Sequence, residues 1–274
     1  MSQPELELKL GTSTYAFFWE WSDRNPEPIS LREMISVSSQ MGANHFQICD
    51  YPKIEELSSA EAQNVVAYGR DHGVTLELGT RGTTEDRLGT YVDLAETMGI
   101  KVLRSMVRFG PGEEDLAQVE KNIRAVIPRL ESLGIDLAFE TYEQLDTETL
   151  VNLIETIGHE RVGIALDPAN CVANLELPRD VIARCAPYTL NLHVKDFAFT
   201  RQAGWVGFTY AGAPMGEGLL DYDDEITQVR PREKGISQIV EHWLTWQGDI
   251  QTTVAMERQW TQQSINYIRR NEHV

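Results

Sequence analysis

The chain of 274 residues alternates regularly between short apolar segments typical of buried strands and longer segments with helical periodicity. The predicted strands cover residues 8–15, 43–49, 74–80, 102–107, 136–141, 162–167, 189–196 and 252–258. The predicted helices cover residues 30–42, 58–72, 86–98, 113–133, 147–158, 178–186, 234–247 and 260–271. Strand–helix units repeated in this way over about 250 residues are typical of a (β/α)8 TIM barrel. The sequence therefore predicts an α/β fold with one barrel domain over residues 1–274.

Local signals agree with this fold. Ser30 precedes a predicted helix, and Ser58 is followed by Glu61 in the spacing of a capping box. The alternative, a doubly wound open sheet, predicts a GxGxxG turn after the first strand, where this chain has GTSTYA. Two connections are long, at residues 15–29 and 197–230. In a barrel both follow the C-terminal end of a strand, so we expect them to border the active site.

The chain is strongly acidic, with 24 Lys and Arg against 42 Asp and Glu and a formal charge of −18. A nucleic-acid binder neutralises phosphates with cationic side chains, so this balance excludes nucleic acid and disfavours an anionic membrane surface. The N-terminal residues lack the basic and apolar regions of a signal peptide, and no long apolar run predicts a membrane-spanning helix. The three cysteines form no CxxC pair, which favours neither a disulfide framework nor structural zinc. We therefore expect a cytoplasmic protein.

Four predicted strands carry an acidic or imidazole side chain on the face opposite to their bulky apolar residues, since side chains two residues apart share a face. On this alternation, four side chains point into the barrel near the C-terminal strand ends: Glu140, Asp167, His193 and Glu257. Three carboxylates in one narrow space repel one another, and a divalent cation relieves that repulsion. The ligand set suits Mn²⁺, with Mg²⁺ or Co²⁺ as alternatives, better than structural zinc. The alternative is that each is a separate strand-end residue paired with a helix cap or an arginine.

Short motifs stand at these strand ends: FET at 139–141, LDPAN at 166–170, HVKD at 193–196, a GEG turn at 216–218 and ME at 256–257. In this order and spacing they resemble the xylose isomerase-like TIM barrel superfamily of sugar and sugar-phosphate isomerases and epimerases, over essentially the whole chain. The resemblance implies that the four clustered side chains are the metal ligands. It also implies that Glu140 and Glu257 form an acid/base pair on opposite faces of the substrate. Lys195, which shares the inward face of His193, is expected to donate to a substrate oxygen.

Two positions depart from the D-tagatose 3-epimerase-like members of the superfamily. Those members carry a substrate-binding His three residues after the metal Asp, whereas this chain has Asn170. They also carry Arg six residues after the metal His, where this chain has Phe199, with Arg201 two residues further. Asn170 and Arg201 are the expected substrate-binding residues at these places, and a simple ketose 3-epimerase is disfavoured.

Cationic side chains gather at the predicted C-terminal mouth of the barrel. Arg81 follows the third strand, Arg104 lies in the fourth, and Lys195 points inward on the seventh. Arginine binds carboxylate or phosphate through paired hydrogen bonds, so this set predicts an anionic substrate. The alternative is internal pairing of Arg81 or Arg104 with Glu77, which points inward and is itself a candidate for substrate contact. His45, on the second strand, is either a pocket residue or an ordinary core histidine.

These observations predict a divalent-metal-dependent isomerase or epimerase of a sugar or sugar acid, acting through a metal-bound cis-enediolate. A closely related intermediate forms when a 3-oxo sugar acid loses CO₂ or an inosose loses water, and the superfamily includes such lyases. The LELGTRG segment at 76–82 is similar to 3-oxo-isoapionate decarboxylase-like members. A decarboxylase is therefore the close alternative, followed by an inosose-type dehydratase. The expected partner is a small anionic sugar or sugar acid, and the apolar loops favour a homodimer or homotetramer.

Overall fold

The computed structural model describes residues 6–108, 115–202, 204 and 206–272. Its strands are β1 Leu10–Ser13, β2 His45–Cys49, β3 Thr75–Gly79, β4 Val102–Ser105, β5 Asp136–Glu140, β6 Val162–Leu166, β7 Thr189–Val194, β8 Phe197–Arg201, β9 Phe208–Gly212 and β10 Gln238–Val240. Within the described residues, eight parallel strands close into a barrel in the order β1-β10-β7-β6-β5-β4-β3-β2, while β8 and β9 form a separate antiparallel hairpin. The predicted TIM barrel is confirmed.

The helices follow the barrel strands along the chain. They are α1 Phe18–Trp21, α2 Leu31–Met41, α3 Ser59–Asp71, α4 Glu85–Met98, α5 Leu116–Leu133, α6 Thr147–Ile157, α7 Pro168–Cys171, α8 Pro178–Cys185, α9 Tyr222–Val229, α10 Pro231–Lys234 and α11 Ile250–Asn271, with 3₁₀ turns at Thr14–Phe17, Pro52–Ile54, Val172–Asn174 and Ala186–Tyr188. Ser30 and Ser58 both form capping boxes, as predicted. No helix among the described residues is both long and apolar enough to cross a membrane.

The predicted eighth strand at 252–258 is wrong, and so is the predicted helix at 234–247. Residues 252–258 belong to α11, which begins after its N-cap Asp249, and the barrel is closed by the short strand β10. The segment TTVAMER alternates in hydrophobicity, but its buried residues Thr253 and Glu257 are four apart and continue with Thr261. A spacing of four is typical of the buried face of a helix. The segment therefore carries both a strand-like alternation and a helical spacing, and it folds as a helix.

The two long connections contain structure of their own. The connection at 15–29 holds α1, and the connection at 197–230 holds the β8–β9 hairpin and α9. Residues 203 and 205 of the second connection lie outside the described residues, as do residues 113 and 114 of the predicted helix at 113–133. Both connections leave the C-terminal ends of barrel strands, which places them at the expected mouth.

A polar layer crosses the interior of the barrel. Gln47 Nε2 donates to Glu77 Oε2 (3.0 Å) and to Asn191 Oδ1 (2.9 Å), so side chains of β2, β3 and β7 meet inside the sheet. Glu77 is 2% exposed, and burial raises its pKa. The inward orientation predicted for Glu77 is therefore confirmed, and its hydrogen bonds hold it within the barrel wall rather than at the mouth.

Candidate metal centre and active site

Four acidic or imidazole side chains converge at the C-terminal ends of neighbouring barrel strands. They are Glu140 at the end of β5, Asp167 after β6, His193 near the end of β7, and Glu241 after β10. One potential ligand atom from each lies within 4.8 Å of the others, and all four side chains are buried. The register of the parallel strands brings them to one height, as the alternation of three of the four strands predicted.

His193 is oriented as a metal-binding imidazole. Its Nε2 lies 2.9 Å from Gln47 Oε1, whereas its Nδ1 has no hydrogen-bond partner among the described residues. That Nδ1 lies 3.7 Å from Glu140 Oε1 and 3.6 Å from Glu241 Oε2. Burial alone would lower the pKa of His193, but the two carboxylates outweigh it and raise the pKa above its usual value. A buried nitrogen aimed between two carboxylates fits a divalent cation, with Gln47 fixing the ring from behind.

Glu140 is held in its ionised form by cationic neighbours. Arg104 forms a buried ion pair with its carboxylate and also donates to Thr80 O (2.9 Å), while Asn170 Nδ2 donates to Glu140 Oε1 (2.6 Å). Burial alone would raise the pKa of Glu140, but the charges of Arg104 and His193 hold it far below its usual range. An ionised carboxylate at this position is what a hard metal ion requires of a ligand.

Lys195 completes the inner face of the site. Its ammonium lies 2.6 Å from Asp167 Oδ2, 3.1 Å from Asn170 Oδ1 and 3.7 Å from Glu241 Oε2, and it faces the ring of Trp243 at 4.2 Å. Burial would lower the pKa of Lys195, yet the surrounding carboxylates raise it, so the side chain is a buried ammonium. Asp167 shows the opposite balance, because burial raises its pKa despite the ion pair.

A chain of ion pairs runs from the metal-ligand cluster to the rim of the barrel mouth. Arg104 Nη1 lies 3.5 Å from Asp50 Oδ2, and Arg81 Nε lies 2.8 Å from the same oxygen. Tyr15 Oη donates to Asp50 Oδ2 (2.9 Å) and also contacts Arg81. The Arg81 side chain is 37% exposed, whereas that of Arg104 is 4% exposed. The ion pairs found for the two arginines among the described residues are thus with Asp50 and Glu140 rather than with Glu77, and the Arg81 side chain is partly exposed at the mouth.

The GEG turn and the HVKD motif form one unit. The Asp196 carboxylate accepts from the backbone N–H groups of Gly216 (2.9 Å), Gly218 (2.9 Å) and Leu220 (3.0 Å). Gly216 has a φ of +85°, and a Cβ at Gly218 would collide with the Asp196 carboxylate. Asp196 therefore holds the GEG turn of the 197–230 connection next to Lys195.

An aromatic cavity of about 400 Å³ adjoins this centre. Its walls include Tyr15, Phe18, Trp19, Tyr210 and Trp243, so it is continuous with the ring that faces Lys195. Three of these aromatic residues come from the first long connection and one from β9. The aromatic run after the first strand therefore lines the mouth, in addition to packing within its loop.

Glu257, predicted as the fourth ligand, does not lie in the cluster, because it belongs to α11 and Glu241 takes its place. The Glu257 carboxylate accepts from the backbone N–H groups of Trp19 (2.9 Å) and Glu20 (3.1 Å). Burial raises the pKa of Glu257 to about 8. Glu241 had a sequence signal of its own: it follows the apolar pair Ile239–Val240 just as Asp167 follows Ala165–Leu166.

Three of the predicted substrate-binding residues lie away from the centre. His45 lines a cleft at the N-terminal ends of the strands, and its Nδ1 lies 2.9 Å from Asn44 Oδ1. Glu77 belongs to the internal polar layer, and the exposed Arg201 packs over the ring of Phe208 at 4.4 Å. The other three, Arg81, Arg104 and Asn170, do lie at the centre or its rim.

Comparison with known proteins gives one family and several relatives. Residues 35–271 match the family model described as xylose isomerase-like TIM barrel. The chain is 44% identical over 261 residues, 95% of both chains, to the 3-oxo-isoapionate decarboxylase of Pectobacterium atrosepticum. Its fold is similar to that of a D-psicose 3-epimerase crystallised in the presence of D-fructose, with a TM-score of 0.72 and 15% identity over 96% of this chain and 98% of that one. It is also similar to a Mycobacterium smegmatis xylose isomerase-like TIM barrel protein in complex with magnesium, with a TM-score of 0.68 and 17% identity over 95% and 97%.

Proposed function

Because the chain belongs to the xylose isomerase-like TIM barrel family of enzymes, we propose that it is a divalent-metal-dependent decarboxylase of a 3-oxo sugar acid. The observation that carries this proposal is the 44% identity to a 3-oxo-isoapionate decarboxylase over 95% of both chains. The sequence alone favours an isomerase or epimerase, with the decarboxylase as the alternative. The comparison supports the decarboxylase at least as well, and we therefore place it first.

The residues that would hold the ion are the four clustered side chains, Glu140, Asp167, His193 and Glu241. When bound, a divalent ion supplies a Lewis acid that stabilises negative charge developing on substrate oxygens. Three hard oxygen donors and one imidazole favour Mn²⁺, with Mg²⁺ or Co²⁺ as alternatives. Gln47 would keep the coordinating nitrogen of His193 directed at the ion.

The remaining charged residues have roles that decarboxylation requires. Arg81, at the exposed end of the ion-pair chain, binds the carboxylate of the incoming acid. The bond between this carboxylate and its neighbouring carbon breaks, the electron pair passes to the carbonyl oxygen two carbons away, and CO₂ leaves. Lys195 then donates a proton from Nζ to the carbon that lost CO₂, and water returns the proton to Lys195. The aromatic cavity excludes bulk water from the negatively charged intermediate until Lys195 protonates it.

An isomerase or epimerase is the second candidate, because two carboxylates flank one position. Glu140 Oε1 and Glu241 Oε2 lie at nearly equal distances from His193 Nδ1, 3.7 and 3.6 Å. Carboxylates on two sides of a substrate carbon could remove a proton on one face and return it on the other. In this candidate Glu241 replaces Glu257 as the partner of Glu140.

The test is an NMR assay in D₂O with the Mg²⁺-loaded protein, a 3-oxo sugar acid labelled with ¹³C in its carboxyl group, and a panel of neutral ketoses. The proposal expects labelled bicarbonate and one deuterium at the vacated carbon. His193→Gln should abolish this product, whereas His159→Gln, which alters a histidine paired with Glu131 at 3.0 Å, should not.

A product that keeps all its carbons and gains deuterium beside the carbonyl would contradict the decarboxylase and establish the second candidate. Bicarbonate release that survives metal removal by a chelator would contradict the metal dependence.

We further propose that the substrate is anionic, because Arg81 stands at the mouth of the site. We also propose that the protein acts in the cytoplasm, where its buried free thiols Cys49, Cys171 and Cys185 stay reduced.

A further inference from the structure

Exposed apolar side chains are concentrated on one surface, outside the site described above. Six of the eight large hydrophobic side chains that are exposed among the described residues lie on it: Leu175, Leu177, Phe199, Val206, Phe208 and Leu219. We call this set the outer apolar surface. Contiguous apolar surfaces of this kind mark interaction sites on soluble proteins, because water contact with them is unfavourable.

The outer apolar surface has a concave and a projecting part. The concave part is a groove of about 650 Å³ between the start of α8 and β8, with Leu177, Phe199 and Leu219 among its walls. The projecting part is the β8–β9 hairpin, which continues from Phe199 to Phe208. A two-stranded sheet is marginal in water when nothing covers it. Tyr210 packs against Trp243, and Phe208, two residues away on the same face of the hairpin, is 61% exposed at its outer end.

Leu175, one residue of the outer apolar surface, is exposed to water in an unfavourable backbone conformation. It adopts a φ of +63° at the end of a 3₁₀ turn and is 94% exposed. A left-handed conformation is unfavourable for a leucine, and Gly or Asn would remove most of this strain. A strained, fully exposed leucine beside an apolar groove gains stabilisation when another surface covers it.

We propose that a second copy of this chain covers the outer apolar surface, with the hairpin of each copy lying in the groove of the other. The charges of the surface favour this occupant. In a chain with a formal charge of −18, the groove walls and β8 together carry Arg179 and Arg201 against Glu176 and Asp221, so this part of the surface is close to neutral. A basic partner would bind best to an acidic surface, which this one is not. An apolar surface of balanced charge does not repel the same surface on a second copy.

A twofold contact also supplies matched partners. Arg201 forms no ion pair among the described residues and packs over Phe208, and Asp221 stands at the rim of the groove as the N-cap of α9. In a twofold arrangement each contact is made twice, so hairpin and groove both contribute on each copy. A stable interface removes about 800 Å² from each partner, and in a twofold contact the groove and the hairpin of each copy both count toward that area.

The test is sedimentation velocity from about 1 to about 100 μM protein. The proposal expects a dimer for the unaltered chain. Leu175→Lys in the groove and Phe208→Glu on the hairpin should each raise the dissociation constant by about 100-fold. Leu6→Lys alters an exposed leucine outside the surface, 51% exposed, and should leave the dimer intact. Circular dichroism of each variant establishes that it is folded.

Mixing the two surface variants tests the reciprocal geometry. In the mixture one hairpin and one groove are unaltered and face each other, while Glu at 208 faces Lys at 175 in the second contact. The mixture should therefore form a heterodimer although neither variant forms a dimer alone. A monomeric unaltered chain, a dimer that survives both substitutions, or a mixture that stays monomeric would each overturn the proposal.

Discussion

Glu241 and Glu257 are both almost fully buried, 4% and 1% exposed, but they lie in opposite surroundings. Glu241 stands at a strand end among ionisable groups, 3.6 Å from His193 Nδ1 and 3.7 Å from Lys195 Nζ. Glu257 lies on a helix and meets the backbone amides of the first long connection. One region concentrates charges that a cation can balance, whereas the other buries a carboxyl group with little opposite charge. Burial of a glutamate therefore does not identify a metal ligand unless the neighbouring groups are known.

The largest expected effect separates the two glutamates by metal content. Glu241→Gln removes a ligand carboxylate, so we expect loss of bound metal and a fall in kcat of about 10³-fold or more, since metal catalysis contributes several kcal/mol. Glu257→Gln should leave metal content unchanged because this residue lies outside the cluster. Elemental analysis of both purified variants after Mn²⁺ loading, together with steady-state kinetics, is the measurement. Full metal occupancy in Glu241→Gln would contradict the ligand assignment.

The second prediction concerns the part of the pH dependence of stability that comes from Glu257. Its pKa is raised from 4.5 to about 8 by burial, so the folded state keeps a proton that the unfolded state has lost in this range. The free energy of unfolding therefore falls as pH rises from about 5 to about 8, by about 3 kcal/mol from this group. Glu257→Gln mimics the protonated side chain and should remove this part of the decline. Urea unfolding at several pH values measures it, and parallel curves for the two proteins would contradict the raised pKa.

The third prediction concerns the rim of the charged region. Arg81→Ala removes the partly exposed side chain at the rim while Arg104 keeps its pairs with Glu140 and Asp50. We expect KM for a carboxylated substrate to rise by about 10–100-fold, because a charged hydrogen bond contributes about 1.5–3 kcal/mol. Arg87→Ala, which breaks an ion pair with Glu55 at 2.6 Å, is the matched control and should change KM little. An equal rise in KM for neutral ketoses would assign Arg81 a structural role.

The sequence could predict the part of the site that depends on regular strands. In β5, β6 and β7 the alternation of bulky and polar residues fixes which side chains point inward, and each strand is long enough to show it. Glu140, Asp167 and His193 followed from this pattern alone. Arg104 followed as a cation at the mouth, but its pairing with Glu140 depends on the register between β4 and β5, which no local pattern encodes.

The eighth strand could not be predicted, for a physical reason. β10 has only three residues, Gln238–Val240, too few to show a period of two. The segment at 252–258 offers a stronger alternation, although it forms the start of α11. Choosing between them requires knowing that β10 pairs with both β1 and β7 to close the barrel, which is a property of the whole sheet. The same limit applies to His45, whose depth along the barrel axis depends on tertiary register.

Ser13 connects the two regions and gives the smallest expected effect. Its hydroxyl donates to Glu241 Oε1 (2.7 Å) and accepts from the backbone N–H of Tyr15 (3.0 Å), at the start of the aromatic connection. Ser13→Ala removes both bonds, so we expect a loss of about 1 kcal/mol of stability and a fall in metal affinity of about 10-fold, as for other residues that orient a ligand. Ser58→Ala is the matched control, because it removes a helix cap of similar strength on α3, whose capping box is formed with Glu61. It should cost the same stability and leave metal affinity unchanged, as measured by thermal unfolding and Mn²⁺ titration. Equal metal affinity in the two variants would show that Ser13 caps the turn without orienting Glu241, and the two regions would then be energetically independent.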